Sequence, residues 1–234
     1  MGSEMCIRDR YKNVSEYENI EDAAQSLVST MQAFGMQADK VGSIVDKFNE
    51  VGNNFAISSE GIGEALRRSA SALASAGNGI DESIALVTAG NTVIQDPASV
   101  GTALKTMSMR LRGTKTELEA AGEETDGMAE TVSQLRKELL ALTGQKVDIQ
   151  LDANTYKTSY QILKEMSGVW DELTDMQQAA ALELMGGKRQ GNILSSIIKS
   201  FDIAEDVLES SKNSLGSATA ENEKYLDSIE GKMN

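Results

Sequence analysis

Apolar residues recur at intervals of three and four along almost the whole chain, and one proline, Pro97, is the only proline in 234 residues. That combination constrains the fold more than any other feature. Spacing of three and four places side chains on one face of a helix. Proline is the residue that a helix interior excludes, and a chain of average composition and this length would carry about a dozen. The expected fold class is all-α.

The stripes can be followed along the chain. Ile20, Leu27, Met31 and Phe34 form the first, and Val41, Ile44, Val45, Phe48, Val51 and Phe55 the second. Ser58 or Ser59 then caps a helix whose buried face is Ile62, Leu66 and Leu73, ended by "AGNG". Ile80, Ile84, Val87 and Ile94 follow, with Asp81 and Glu82 in the first turn, where the helix dipole favours acids. Asp96 caps the next helix and Pro97 takes its first position, where a missing N–H does no harm. Val100, Leu104, Met107 and Leu111 line its face. Beyond Gly113 the pattern loosens into a short helix and a polar loop. Met128, Val132, Leu135, Leu139 and Leu142 resume it, and Gly144 stops it. Tyr156, Tyr160, Leu163, Met166, Trp170 and Leu173 form another stripe, as do Ile193, Ile197, Phe201, Ala204 and Leu208. Val147, Ile149 and Leu151 alternate instead, so at most one short strand is expected, near 146–151.

No stripe runs past about five turns without a glycine, so the helices are expected to fold back as compact hairpins rather than extend as a coiled coil. Short loops should make consecutive helices neighbours. Three stretches follow: 1–12 as a non-native or disordered terminus, 13–113 as a helical core region, and 114–234 as a second helical region truncated at its C-terminal end. The opening "MGSEMCIRDR" reads as translated sequencing adapter, with a natural disordered terminus as the alternative.

Charge and residue types narrow the function classes. The net charge is −14, which argues against sequence-independent binding to nucleic acid. It suits either a basic partner or a plain solvated surface. No histidine is present, which removes the usual general base and zinc ligand. Cys6 is the one cysteine, so neither a disulfide within the chain nor a cysteine metal cluster can form. No apolar run approaches the length of a membrane span.

One stretch invites an enzymatic reading. "LELMGGKRQGNILSS" holds Gly187-Lys188, and a phosphate cradle needs a glycine five residues before that glycine and Ser or Thr after the lysine. Leu182 and Arg189 stand there instead. The preceding residues read as a helix, with Thr174 as cap and Gln177 completing a capping box. The stretch is therefore expected to be a helix end at Gly186-Gly187, with Lys188 and Arg189 solvating the turn. Glu119, Glu123, Glu124 and Asp126 lack the alternate spacing of a calcium loop and read as a solvated loop. Arg67-Arg68 and Arg110 with Arg112 read as surface cations. Catalytic, cofactor-binding and metal-binding residues are all expected to be absent, and the chain is read as not an enzyme.

The blocks "VGNNFAISSEGIGEALRRSASALASAGNGIDESIALVTAGNTVIQDPASVGTALKTMSMRLRG", "GEETDGMAETVSQLRKELLALTG", "VDIQLDANTYKTSYQILKEMSGVWDELTD" and "AAALELMGGKRQGNILSSIIKSF" occur in this order. Together with "NSLGSATAENEKYLDSIEGK" they resemble the core region of phage tail tape measure proteins from about residue 20 onward. The resemblance implies a structural protein that fills the tail lumen, sets tail length during assembly and leaves ahead of the DNA. It further implies a tail tube protein and tail assembly chaperones as partners, self-association, and residence in the virion after assembly in the host cytoplasm. The glycine-lysine stretch belongs to that pattern as a helix–helix joint. The enzyme alternatives are a nucleotide-binding switch at Gly187-Lys188, or membership of a larger tail protein with a cell-wall-lytic module elsewhere.

Overall fold

The computed structural model describes residues 20–224, with side chains from residue 23. The expectations for residues 1–12 and for most of the terminal pattern 223–234 fall outside that range. The described chain is all-α. Helices run over Ile20–Ala33 (α1), Val41–Asn54 (α2), Ser59–Ser75 (α3), Ile80–Ile94 (α4) and Pro97–Leu111 (α5). Lys115–Ala120 (α6), Val132–Leu142 (α7), Ser159–Val169 (α8), Asp175–Lys199 (α9) and Phe201–Lys212 (α10) follow, and residues 217–224 are helical again.

Local signals set most of the boundaries. The Ser58 hydroxyl accepts from the Gly61 N–H at 3.0 Å, which decides between the two candidate caps of α3. Asp96 accepts from the Ser99 N–H at 3.1 Å, and Pro97 opens α5. The box of Thr174 and Gln177 forms at the start of α9. Gly77 and Gly113, both at positive φ, end α3 and α5. In each case the next N–H returns to the helix: Asn78 to the Leu73 carbonyl at 3.0 Å, Thr114 to Met109 at 3.1 Å. α7 starts at Val132 rather than Met128, because the Thr131 hydroxyl caps it. α8 starts at Ser159 after a Thr158 cap, which leaves Tyr156 outside the helix.

The architecture is built around α4. It touches α3, α5, α8, α9 and α10, and every residue from Ser83 to Asn91 is buried. The sequence suggested one apolar stripe there; the structure shows a helix enclosed on all sides. Its composition permits this, since no charged residue follows Glu82. Ser83 and Thr88 return their hydroxyls to the carbonyls four residues back, and the Asn91 amide donates to the Ala56 carbonyl at 2.9 Å. The broadest helix pair is α3 with α5. They cross at Ala65 and Gly101, where a Cβ on Gly101 would lie 2.5 Å from the Ala65 carbonyl oxygen. One apolar core runs from Ala23 to Ala218, drawing on residues from both sides of Gly113.

The alternating segment near 146–151 does not become a strand, and no strand occurs among the described residues. Val147 and Ile149 are buried, but Leu151, expected on the same face, is 58% exposed. The segment folds back on itself instead. The Leu151 N–H donates to the Thr155 carbonyl at 2.8 Å, and Gln150 forms a single antiparallel bridge with Tyr156. A lone ladder step of this kind is all that a strand without a sheet can make.

The last described helix is held from a distance. The Asp46 carboxylate on α2 accepts from the N–H groups of Gly216 and Ala218 at 3.0 and 3.1 Å, and so caps residues 217–224. The Asn49 amide donates to the Ser217 hydroxyl at 2.9 Å. Lys47 donates to Asp81 at 2.6 Å and to the Ser211 carbonyl at 3.1 Å.

Candidate functional site

The glycine-lysine stretch lies inside α9, which is 25 residues long and breaks at Gly187. Gly187 has φ 73 and ψ 179. That region is open essentially to glycine alone, and it differs from the left-handed helical cap expected from the sequence. A Cβ there would meet the Glu124 carboxylate at 3.2 Å and the Arg110 guanidinium at 3.4 Å. A Cβ on Gly186 would lie 2.4 Å from Leu194. Gly187 is therefore required for its backbone angles, while a side chain at Gly186 would oblige Leu194 to shift.

A break inside a helix strands carbonyls on one side and N–H groups on the other. Two residues from elsewhere satisfy them. Arg110, on α5, donates from Nε to the Leu184 carbonyl at 3.3 Å and from Nη2 to the Glu183 carbonyl at 3.1 Å. The same guanidinium donates to the Glu124 and Asp126 carbonyls at 3.0 and 3.2 Å. Glu124 accepts from the Arg189 N–H at 3.0 Å, at the start of the second half of α9. A cation thus faces the C-terminal end of one half-helix and an anion the N-terminal end of the other, as the helix dipoles favour. The helix packs on α4, α5, α7 and α8.

This corrects the reading of Arg110 as a surface cation, since it is 1% exposed. Burial lowers its pKa, opposed by the nearby charges of Glu124, Glu183 and Asp126. Arg112 is corrected likewise. Its Nη2 donates to the Ala76 and Lys157 carbonyls at 2.7 and 2.6 Å, and its guanidinium lies 5.0 Å from the centre of the Tyr156 ring. Burial lowers its pKa as well. Arg67 and Arg68 are exposed as expected, with Arg68 paired to Glu64 at 3.5 Å.

The acidic loop is not simply solvated. Glu123 accepts from Lys105 and Thr106, each at 3.3 Å, Glu124 caps the half-helix, and Asp126 contributes its backbone carbonyl. Glu119 remains exposed. No group of three or more potential metal ligands occurs among the described residues. Lys188 is exposed and lies 3.8 Å from Glu183, with helix rather than strand before it. The structure thus gathers the acidic loop, Arg110 and the glycine joint into one place, a coincidence that sequence spacing gave no sign of.

One further cluster resembles catalytic machinery. Ser211, Lys47 and Asp81 meet at 2.6–3.1 Å. A serine nucleophile would have to give its proton to the lysine. Here the Ser211 hydroxyl donates to Asp81 at 2.6 Å, and Lys47 meets the Ser211 carbonyl instead. The cluster ties α2, α4 and α10 together.

The described geometry holds a bend and joins helices. No helix among the described residues is long and apolar enough to cross a membrane. Comparison with known proteins agrees with a part in an assembly. No solved structure matches the chain. The model of one family, described as phage-related minor tail protein, matches residues 12–187. That match takes in α1 to α8, Arg110, Glu124 and the first half of α9 up to Gly187, and the chain belongs to the phage-related minor tail protein family.

Proposed function

We propose that the chain is a folded station within a phage tail tape measure protein, which acts in tail assembly and tail-length determination and leaves during DNA ejection. The carrying observation is the ordered set of sequence blocks, most of them inside a tail-protein family match over residues 12–187 and continuing beyond it. Residues 13–113 and 114–234 are two helical regions of that station. Its partners are the tail tube protein, the tail assembly chaperones and further copies of the chain. It works in the tail lumen of the virion, after assembly in the host cytoplasm.

A tape converts residues to length at about 1.5 Å per residue where it is helical. The helices here double back, with α3 and α5 crossing at backbone contact. The station therefore adds little to the tape. Deleting residues 58–113 from the parent protein should abolish tail formation, as seen by electron microscopy of infected cells. Intact tails shortened by on the order of 80 Å would make this stretch tape rather than station. Normal tails at normal yield would remove the tail-assembly reading altogether.

A further inference from the structure

Although the chain is strongly acidic, four of its cations line one groove. Two adjoining cavities, of about 240 and 330 Å³, lie along α5 and share Arg68 as a wall. The first is lined by Lys105, Met109 and Arg112, the second by Ser99, Thr102 and Arg189. From Ala98 to Arg112 they follow about 21 Å of helix at 1.5 Å per residue. Glu117 is the sole carboxylate among the lining residues against four cations. Of these, Lys105 is paired with Glu123 at 3.3 Å and Arg112 is turned to two carbonyls. The exposed Arg68, beside Glu64 at 3.5 Å, and Arg189 are the cations the groove offers a partner. Arg68 and Arg189 come from helices far apart in sequence, and both are exposed.

The complement to this groove is on the same molecule. α10 exposes Asp202, Glu205, Asp206 and Glu209, of which Glu205 is already paired with Lys164 at 2.5 Å. Their spacing of three, one and three puts them on one face of the helix. The row spans about 10 Å, so it fits within the groove.

We propose that the groove between α3 and α5 receives the acidic face of α10 from a second copy of this chain, joining copies head to tail. The proposal deepens the self-association reading above and rests on it. Like net charges repel, but at physiological salt that repulsion is screened beyond about 8 Å, while carboxylate–guanidinium contacts inside the interface are not. The two surfaces differ, so each copy keeps one of each kind unused after pairing, and the contact builds rings or open chains rather than a closed two-fold dimer.

Sedimentation of the 234-residue chain and its charge-reversal variants tests this. The unaltered chain should gain mass with concentration. Arg68→Glu with Arg189→Glu, and separately Asp206→Lys with Glu209→Lys, should each raise the dissociation constant about tenfold or more. All four positions are exposed, and unchanged helical circular dichroism shows that folding persists. Mixing the two double variants should restore growth, because the unaltered face of one meets the unaltered groove of the other and the two reversed surfaces match as well. Combining all four reversals in one chain should restore growth. A chain that associates equally well after either reversal removes this interface and leaves self-association standing. A strictly monomeric unaltered chain removes both. Retention on a double-stranded oligonucleotide, lost in the Arg68→Glu and Arg189→Glu variant while mass is unchanged, would give the groove to nucleic acid and overturn the proposal.

Discussion

Arg110 shows how far one residue's role can sit from its sequence neighbourhood. On a helical wheel it lies beside a polar face, next to Arg112, and nothing local marks it as buried. Its partners are carbonyls 14 to 74 residues away. Replacing it with Met keeps the volume and removes every donor. The four carbonyls and the Glu124 charge then stay in place without their cation, and urea unfolding should show a loss on the order of 3 kcal/mol. Lys188→Ala, a few residues from those carbonyls, should change stability by no more than about 0.5 kcal/mol, because its ammonium is exposed. Gly187→Val combines a backbone conformation that valine avoids with a Cβ 3.2 Å from Glu124, and should cost at least about 2 kcal/mol. That a helix runs up to the glycine pair was legible from the Thr174–Gln177 capping box before it. That the joint needs a clasp was not, because Glu124 lies 65 residues before Arg189.

At the scale of the element, caps and stops were legible and enclosure was not. Ser58, Asp96 and Thr174 each act on an N–H three residues away, so the sequence holds the whole interaction. Thr131 and Thr158 act the same way, but the apolar stripes that run across them mask both caps in the sequence. The burial of α4 on all sides depends on five other helices, and its apolar stripe gave only one of the faces. Glycines inside helices separate the local term from the tertiary one. Alanine is preferred to glycine in a helix by about 1 kcal/mol. Gly168→Ala in α8 meets nothing within 4 Å and should stabilise, by about 0.5 kcal/mol so near the helix end. Gly101→Ala carries the same propensity gain but drives a methyl to 2.5 Å from the Ala65 carbonyl. The helices would have to separate, so a net loss on the order of 2 kcal/mol is expected. Thermal unfolding of the two variants should move in opposite directions.

Across the whole molecule, a single core makes distant stretches depend on one another. α10 covers much of α4, so a chain ending before Phe201 should lose cooperative unfolding even though every residue of α4 remains. Acid should weaken the intact chain through a particular pair. Arg136 donates to both oxygens of Asp148 at 2.7 Å, and these hydrogen bonds hold the Asp148 carboxyl down to about 2. A depressed carboxyl stabilises the fold above its unfolded value, near pH 4, and that contribution is lost as the pH falls towards 2. The pair is partly open to solvent, which limits the contribution of Asp148 to about 1 kcal/mol. Asp148→Asn should flatten the decline in stability between pH 4 and pH 2 by about that amount, measured by urea unfolding at each pH.

The capping of residues 217–224 by Asp46 also decides how the molecule carries load. A pull on the chain at residue 224 reaches Ser217, Gly216 and Ala218 first, and these are held by Asp46 and Asn49 on α2. Behind them stand Lys47, Asp81 and Ser211, and only then the apolar contact of α10 with α4. Tension is thus met in sequence by hydrogen bonds, by an ion pair and last by the core. The outer connections should give way at small extension while α4 is still enclosed, so a pulled chain should release residues 217–224 before the fold unravels.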